Sequence, residues 1–334
     1  MKNTAGSINY NPNGRGVPAV FSGEGMPNML TGRFAPSPSG RMHLGNVFSA
    51  LLAWLSVRSR NGRMLLRIED LDPDRCRPDY IETLKRDLDW LGLDWDEEQT
   101  PQSMRADAYH AELERLRALG LVYPCYCSRA ELHAASAPHA SDGNVIYAGT
   151  CRSLTEAERA AKTRAPAWRV IVPDTVITVQ DGLQGAYTEN LARDCGDFII
   201  RRSDGVYAYQ LAVVTDDAAG GVTEVVRGRD LLSSVPRQVW LQKTLGFPTP
   251  AYYHVPLLLA PDGRRLSKRE KSLDLGALRE RCTPEQLVGT LAFLAGLQPE
   301  PAPAAPSTLV SGFLWKNVRS DNVVIHSEFR CNIS

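Results

Sequence analysis

The chain has 334 residues, enough to bury one large core or two smaller ones, and its 43% hydrophobic and 23% charged content is that of a soluble globular protein. Its 38 basic and 38 acidic side chains cancel, so no global field draws in nucleic acid or a membrane surface, and any RNA contact must come from local basic patches. No apolar run reaches the roughly 18–20 residues of a membrane helix. Seven irregularly spaced cysteines, with no apolar signal-peptide core at the start, favour a reduced, cytoplasmic setting and metal binding over disulfides.

Residues 1–28 are rich in Gly, Asn, Ser and Pro and lack periodicity, so a flexible extension is expected, with Met26 or Met29 as alternative starts. A strand is predicted over Met29–Phe34, then a Pro/Ser/Gly turn at Ala35–Gly40. A helix follows, with Leu44, Val47, Phe48, Leu51, Leu52 and Leu55 at helical spacing, and Asn61-Gly62 stops it. A second strand, Met64–Ile68, ends on Glu69-Asp70. Strand–helix–strand of this length is a parallel βαβ unit, whose carboxyl edge is where open α/β sheets bind ligands. His43-Leu44-Gly45-Asn46 therefore stands at a helix amino end, where free N–H groups and the helix dipole favour phosphate. Gly45 lets a flat ring approach the backbone. No Walker loop is present.

Further along, Pro78 opens a helix over Asp79–Leu91 with Ile81, Leu84, Leu88 and Leu91 inward. Ser103 is the expected N-cap of a helix running to Leu119, and Leu121–Tyr123 a short strand. Ser128-Arg129-Ala130-Glu131 and Thr155-Glu156-Ala157-Glu158 read as capping boxes. Around them lie Cys125, Cys127 and Cys151, three thiolates able to fill three corners of a tetrahedral zinc site. His133, His139 and Tyr147 are close enough in sequence to be the fourth ligand, histidine being the usual choice of such a metal. Trp168–Val172 and Val176–Val179 read as strands finishing an inserted subdomain. A hairpin is expected over Asp197–Tyr209, a strand buried on both faces at Leu211–Thr215, and a strand at Thr223–Val226. A helix over Val235–Leu245, a strand over Tyr253–Leu259 and a Thr283-capped helix to about Leu294 complete the pattern. Between the last two, Arg264-Arg265-Leu266-Ser267-Lys268-Arg269 is a basic loop suited to the charge of a pyrophosphate leaving group.

Two motifs carry a resemblance. His43-Leu44-Gly45-Asn46 resembles the His-Ile-Gly-His signature of class I aminoacyl-tRNA synthetases, with Asn46 in place of the second His. Leu266-Ser267-Lys268 resembles their Lys-Met-Ser-Lys-Ser loop, with Arg265 for the first Lys and Arg269 where the last Ser would be. The block from Arg33 to Asp70 looks like the glutamyl and glutaminyl branch. The resemblance covers about residues 29–295. It implies an α/β, Rossmann-like class I catalytic core over 29–271 with a zinc-bearing insertion at about 120–192. A short helical part, 272–334, follows, without an anticodon-binding domain.

Carried over position by position, the resemblance places L-glutamate against Arg33, Ala35, Ser37, Glu69, Tyr209 and Arg227. It places ATP against His43, Gly45, Ser267 and Lys268, with His43, Asn46 and Lys268 as the catalytic set and Mg²⁺ accompanying ATP. The Cys-x-Cys and Tyr-x-x-x-Cys pattern is similar to that of the glutamyl-queuosine tRNA-Asp synthetases, which implies one structural zinc on Cys125, Cys127, Tyr147 and Cys151. That family activates glutamate without tRNA and attaches it to queuosine in the tRNA-Asp anticodon. Splayed anticodon bases suit single-strand recognition, with Arg201, Arg202, Arg264 and Arg265 as phosphate contacts. No protein partner is implied. Two other readings compete: a truncated glutamyl-tRNA synthetase charging tRNA-Glu, and a catalytically dead, zinc-containing RNA-binding or amino-acid-sensing module.

Overall fold

The structure, a computed structural model, describes residues 29–128, 146–264, 266 and 273–325. Strand β1 (Thr31–Phe34) pairs in parallel with β2 (Arg63–Leu66), Arg33 opposite Leu65. Between them runs α1 (Leu44–Arg58), whose six periodic apolar side chains are all buried. The turn after it differs in detail from expectation. Asn61, at φ 52°, takes the left-handed conformation, a geometry Asn tolerates. Gly62 is needed for space instead, since a Cβ there would meet the Leu30 carbonyl oxygen at 2.6 Å.

Helix α2 (Pro78–Trp90) leads to β3 (Glu97–Glu98), which extends the sheet in the order β1-β2-β3. Helix α3 (Ala106–Ala118) buries Tyr109, Leu113 and Leu116 as expected. Ser103 does not cap it. Its N–H and hydroxyl both donate to Asp70, at 2.8 and 2.7 Å, and Arg105 occupies the cap position.

Strand β4 (Val122–Cys125) begins a small antiparallel sheet. Thr155 and Glu158 form the expected reciprocal cap of α4 (Glu156–Ala160). Strand β5 (Ala167–Val170) pairs with β4 on one side and β8 (Phe198–Arg201) on the other. The hairpin β6 (Val176–Asp181) and β7 (Gly185–Asn190) leaves this sheet. Its β6 pairs in parallel with β10 (Ala251–Val255), itself parallel to β9 (Glu224–Gly228). The strands read as finishing the inserted unit are thus divided between two sheets.

The expected strand at Leu211–Thr215 is part of a helix, α5 (Tyr209–Ala219). Leu211 through Asp217 are all buried, so no polar face marks the helical period, and a short apolar run alone cannot separate a buried helix from a buried strand. The second arm of the expected hairpin shrinks to one bridge, Arg201 to Tyr207. Helix α6 (Val235–Leu245) ends at left-handed Gly246. The strand expected over Tyr253–Leu259 breaks after Val255 at Pro256, which has no N–H to give the ladder, and resumes as β11 (Leu258–Leu259). Helices α7 (Leu275–Arg279), α8 (Pro284–Ala295) and α9 (Pro306–Leu309) follow, α8 capped by Thr283 and Gln286 as expected. Strand β12 (Val323–Val324) returns to pair in parallel with β11.

The sheet carrying β1 meets the sheet carrying β9 where the Thr223 N–H donates to the Thr31 carbonyl at 2.9 Å and the Thr31 N–H to Thr223 Oγ1 at 2.9 Å. The main core lies under α1, α2 and α8, and a second joins α3, α5 and the small sheet. Cys76, Cys125, Cys127, Cys151 and Cys195 take part in no disulfide. No described helix is long and apolar enough to cross a membrane.

Candidate active site and metal centre

The carboxyl ends of β1, β9 and β10 and the segment after β2 open on one cleft of about 440 Å³. Arg33, Ala35, Ser37, His43, Gly45, Asn46, Glu69, Tyr209 and Arg227 all line it. Residues from four parts of the chain are thus brought to one place. Ser267 and Lys268, with Arg265 and Arg269, lie outside the described residues, as do His133, His139 and most of the Ser128 capping box. Leu266, inside the basic loop, is buried and lines the cleft.

At the head of α1, His43 has extended backbone and stands at the N-cap. Asn46 Oδ1 accepts the His43 N–H at 3.3 Å, so Asn46 braces the first turn. A Cβ on Gly45 would come within 3.2 Å of the His43 Cε1 and Nδ1. The imidazole therefore lies across the bare Gly45 backbone.

Beneath the cleft floor is a buried charge network that the sequence motifs did not reveal. Arg67, fully buried, donates to Asp217 Oδ1 at 2.7 Å and to Glu69 Oε1 at 3.3 Å. Arg33 Nε stands 3.4 Å from the same Asp217 oxygen, and its Nη1 donates to the Val226 carbonyl at 3.3 Å. Burial works to raise the Asp217 carboxyl, but the Arg67 and Arg33 guanidiniums outweigh it and hold it below the ordinary carboxylate range. Burial raises the Glu69 carboxyl against the pull of the same two arginines. Asp216, next along α5, accepts from Gln102 at 2.8 Å, Arg105 at 2.6 Å and Tyr109 at 2.9 Å. It ties α3 to the floor. Arg227 donates to Tyr209 Oη at 3.2 Å and to Gln238 Oε1 at 2.8 Å, so these two cleft residues orient each other. The cleft thus presents two fixed guanidiniums and one carboxylate, the charges that hold an amino acid with an acidic side chain.

Cys125, Cys127 and Cys151 gather with their sulfurs within 4.8 Å of one another. Tyr147 Oη lies 3.5 Å from Cys125 Sγ and 3.7 Å from Cys127 Sγ, and Cys127 and Cys151 sulfurs are 3.6 Å apart. A zinc–sulfur bond of ~2.3 Å makes the edges of a tetrahedron ~3.8 Å, so this donor set fits such an ion. The Arg169 guanidinium sits 3.8 Å over the Tyr147 ring, a cation placed to favour negative charge on the phenol. Burial and the neighbouring sulfurs push the Tyr147 hydroxyl up in the metal-free chain, so a bound cation is what would make it a phenolate ligand.

The arginines expected to meet RNA phosphates are differently engaged. Arg202 pairs with Asp204 at 2.5 Å and Arg264 with Asp262 at 2.6 Å, each exposed and within its own turn. Arg201 donates to the Gly205 carbonyl at 3.1 Å and lies over the Tyr207 ring.

A family profile described as tRNA synthetases class I (E and Q), catalytic domain, matches residues 29–303. The chain belongs to this family, the glutamate and glutamine branch of the class I aminoacyl-tRNA synthetases. Within the branch, a glutamyl-Q tRNA(Asp) synthetase from Nitratidesulfovibrio vulgaris is 51% identical over 295 residues, 84% of this chain and 91% of its own. Another, from Symbiobacterium thermophilum, is 49% identical over 315 residues, 90% of this chain and 97% of its own. Two crystal structures share the fold at lower identity. One is a glutamate tRNA ligase from Elizabethkingia meningosepticum in complex with its amino acid, with a TM-score of 0.76 and 27% identity over 88% of this chain and 66% of that one. The other is a glutamate-tRNA synthetase from Elizabethkingia anophelis, with a TM-score of 0.78 and 26% identity over 90% and 68%. The resemblance drawn from the two nucleotide motifs and the Cys/Tyr set is borne out.

Proposed function

We propose that this chain is an ATP-dependent ligase that activates L-glutamate as glutamyl-adenylate, without tRNA, and transfers it to queuosine in the anticodon of tRNA-Asp. One observation carries the choice of acceptor. Two relatives named for that reaction are 49–51% identical to this chain, whereas the glutamate-tRNA ligase structures are 26–27% identical. A truncated synthetase charging tRNA-Glu is not favoured on the same ground.

The cleft suits the first step. Arg33, fixed by Asp217, faces the glutamate side-chain carboxylate, and Glu69 takes the α-ammonium. Ala35 and Ser37 shape the pocket, while Tyr209 and Arg227 hold the far side. The α-carboxylate oxygen then attacks the α-phosphorus of ATP, an O–P bond forms as the bond to pyrophosphate breaks, and no side-chain nucleophile is needed. His43, its imidazole lying across the bare Gly45 backbone, and the free N–H groups at the head of α1 receive phosphate oxygens, and Ser267 and Lys268 meet the departing pyrophosphate. Asn46, which lines the same cleft, holds the helix head through its Oδ1. Mg²⁺ accompanies ATP and neutralises its phosphates. In the second step a hydroxyl of the queuosine cyclopentene ring attacks the adenylate carbonyl, loses its proton and displaces AMP. Arg202 and Arg264 are within exposed pairs worth only ~0–1 kcal/mol, so an RNA phosphate can take them over at little cost, whereas Arg201 would have to leave the Gly205 carbonyl to do the same. Cys125, Cys127, Tyr147 and Cys151 would hold one structural zinc, a role that suits a closed set of four protein donors. We read 29–271 as the catalytic unit and the setting as cytoplasmic.

Glutamate-dependent ATP–pyrophosphate exchange in the absence of any tRNA tests the activation step. The expected result is exchange with glutamate and none with aspartate or glutamine. A catalytically dead module would give no exchange with any amino acid.

A further inference from the structure

One buried pair at the edge of the site remains without a role in this scheme. His254 is fully buried in β10, and Asp181, at the end of β6, is nearly so. His254 Nδ1 lies 2.5 Å from Asp181 Oδ2. On its other side, Arg227 Nε donates to His254 Nε2 at 3.0 Å. An arginine has donors only, so Nε2 must offer a lone pair, and the ring proton must sit on Nδ1, where Asp181 accepts it. Asp181 is itself immobilised. Its Oδ1 accepts the backbone N–H groups of Leu183 at 3.0 Å, Gln184 at 2.8 Å and His254 at 3.2 Å.

We infer that His254, locked by Asp181 as the neutral Nδ1–H tautomer, is the positioning residue that aims Arg227 into the cleft. This rests on the glutamate reading above, in which Arg227 binds the amino acid. Four donors of Arg227 are accounted for by His254, Tyr209, Gln238 and the Leu231 carbonyl, so its guanidinium plane has one orientation. Only the His254 bond comes from β10. The relay also gives the β6–β7 hairpin a reason to leave the small sheet. By pairing with β10 through Asp181 and Tyr252, it delivers Asp181 beside His254. Burial, aided by the nearby Arg227 and opposed by the Asp181 bond, keeps the imidazole below its ordinary titration range. Tyr252, stacked beside the ring at 6.1 Å, adds no charge of its own, because burial pushes its hydroxyl up to about 12.

Two variants separate this role from a merely structural one. The amide of Asn reaches the position of Nδ1 and that of Gln reaches Nε2. His254→Asn therefore keeps the bond to Asp181 and loses the acceptor for Arg227, while His254→Gln does the reverse. In the exchange assay H254N is expected to raise the glutamate KM about tenfold or more, the effect of one hydrogen bond to a charged group, with kcat and the ATP KM within about threefold. H254Q is expected to keep the glutamate KM within about threefold. The opposite order, or two variants that both match the wild type, overturns the inference. A measurement on the unaltered protein covers variants that fail to fold. Nitrogen-15 NMR of His254 at pH 7 should show a neutral ring protonated at Nδ1, and an imidazolium or an Nε2–H tautomer contradicts the relay. Absence of glutamate exchange in the wild type would remove the glutamate reading and leave this tautomer result standing by itself.

Discussion

Asp217 holds two arginines at once, and much of the site depends on it. Arg33 reaches the cleft only from a buried position, and Arg67 beneath it is wholly enclosed. Asp217→Ala leaves both guanidiniums buried without their carboxylate, and a loss of about 3–5 kcal/mol in folding stability is expected. Denaturant unfolding checks it; a loss under 1 kcal/mol would mean that Glu69 and Asp216 satisfy the arginines unaided. At this scale the sequence was informative where motif residues cluster. His43, Arg33 and Glu69 fall within 40 residues of one another, so their spacing alone put them at one sheet edge. Asp217 and His254 are far from that block and belong to no motif. Their signal was chemical. Arg67 within an apolar strand, Asp216-Asp217 after an apolar run, and His254 between Tyr253 and Val255 are polar groups in segments bound to be buried, and each therefore needed a partner.

Elements were legible where caps and periods agree. Helix α1 shows its stripe, and Thr283 with Pro284 marks the start of α8. Helix α5 was misread because burial on every side erases its period, and the Ser103 cap failed because Asp70 competes for the same donors. Sheet membership of β6 could not be read at all, since strand pairing across the 252–181 separation leaves no local mark. Cys125 ends β4 and Cys127 follows it, while Tyr147 and Cys151 come shortly before α4, so a bound ion would tie these two stretches together. Purified protein is expected to carry about one zinc per chain by elemental analysis. A strong chelator or Cys151→Ala should release it and lower the melting temperature, with the glutamate KM in exchange changed less than threefold. Metal-free protein with an unchanged melt would contradict a structural zinc.

Across the whole molecule, zero net charge leaves recognition of RNA to placed side chains rather than to a field. The cleft is assembled from segments far apart in sequence: Arg33 on β1, Glu69 after β2, Tyr209 at the head of α5 and Arg227 on β9. The return of β12 onto β11 braces the strand to which the Leu266 N–H also donates, the Ile325 N–H donating to the Leu259 carbonyl at 2.7 Å. The measurement that bears most directly on the central claim is transfer of labelled glutamate to three purified RNAs: queuosine-bearing tRNA-Asp, queuosine-free tRNA-Asp and tRNA-Glu. The expected result is label on the queuosine-bearing tRNA-Asp alone. Label on tRNA-Glu, with none on queuosine-bearing tRNA-Asp, would make the chain a glutamyl-tRNA synthetase and contradict the proposed function.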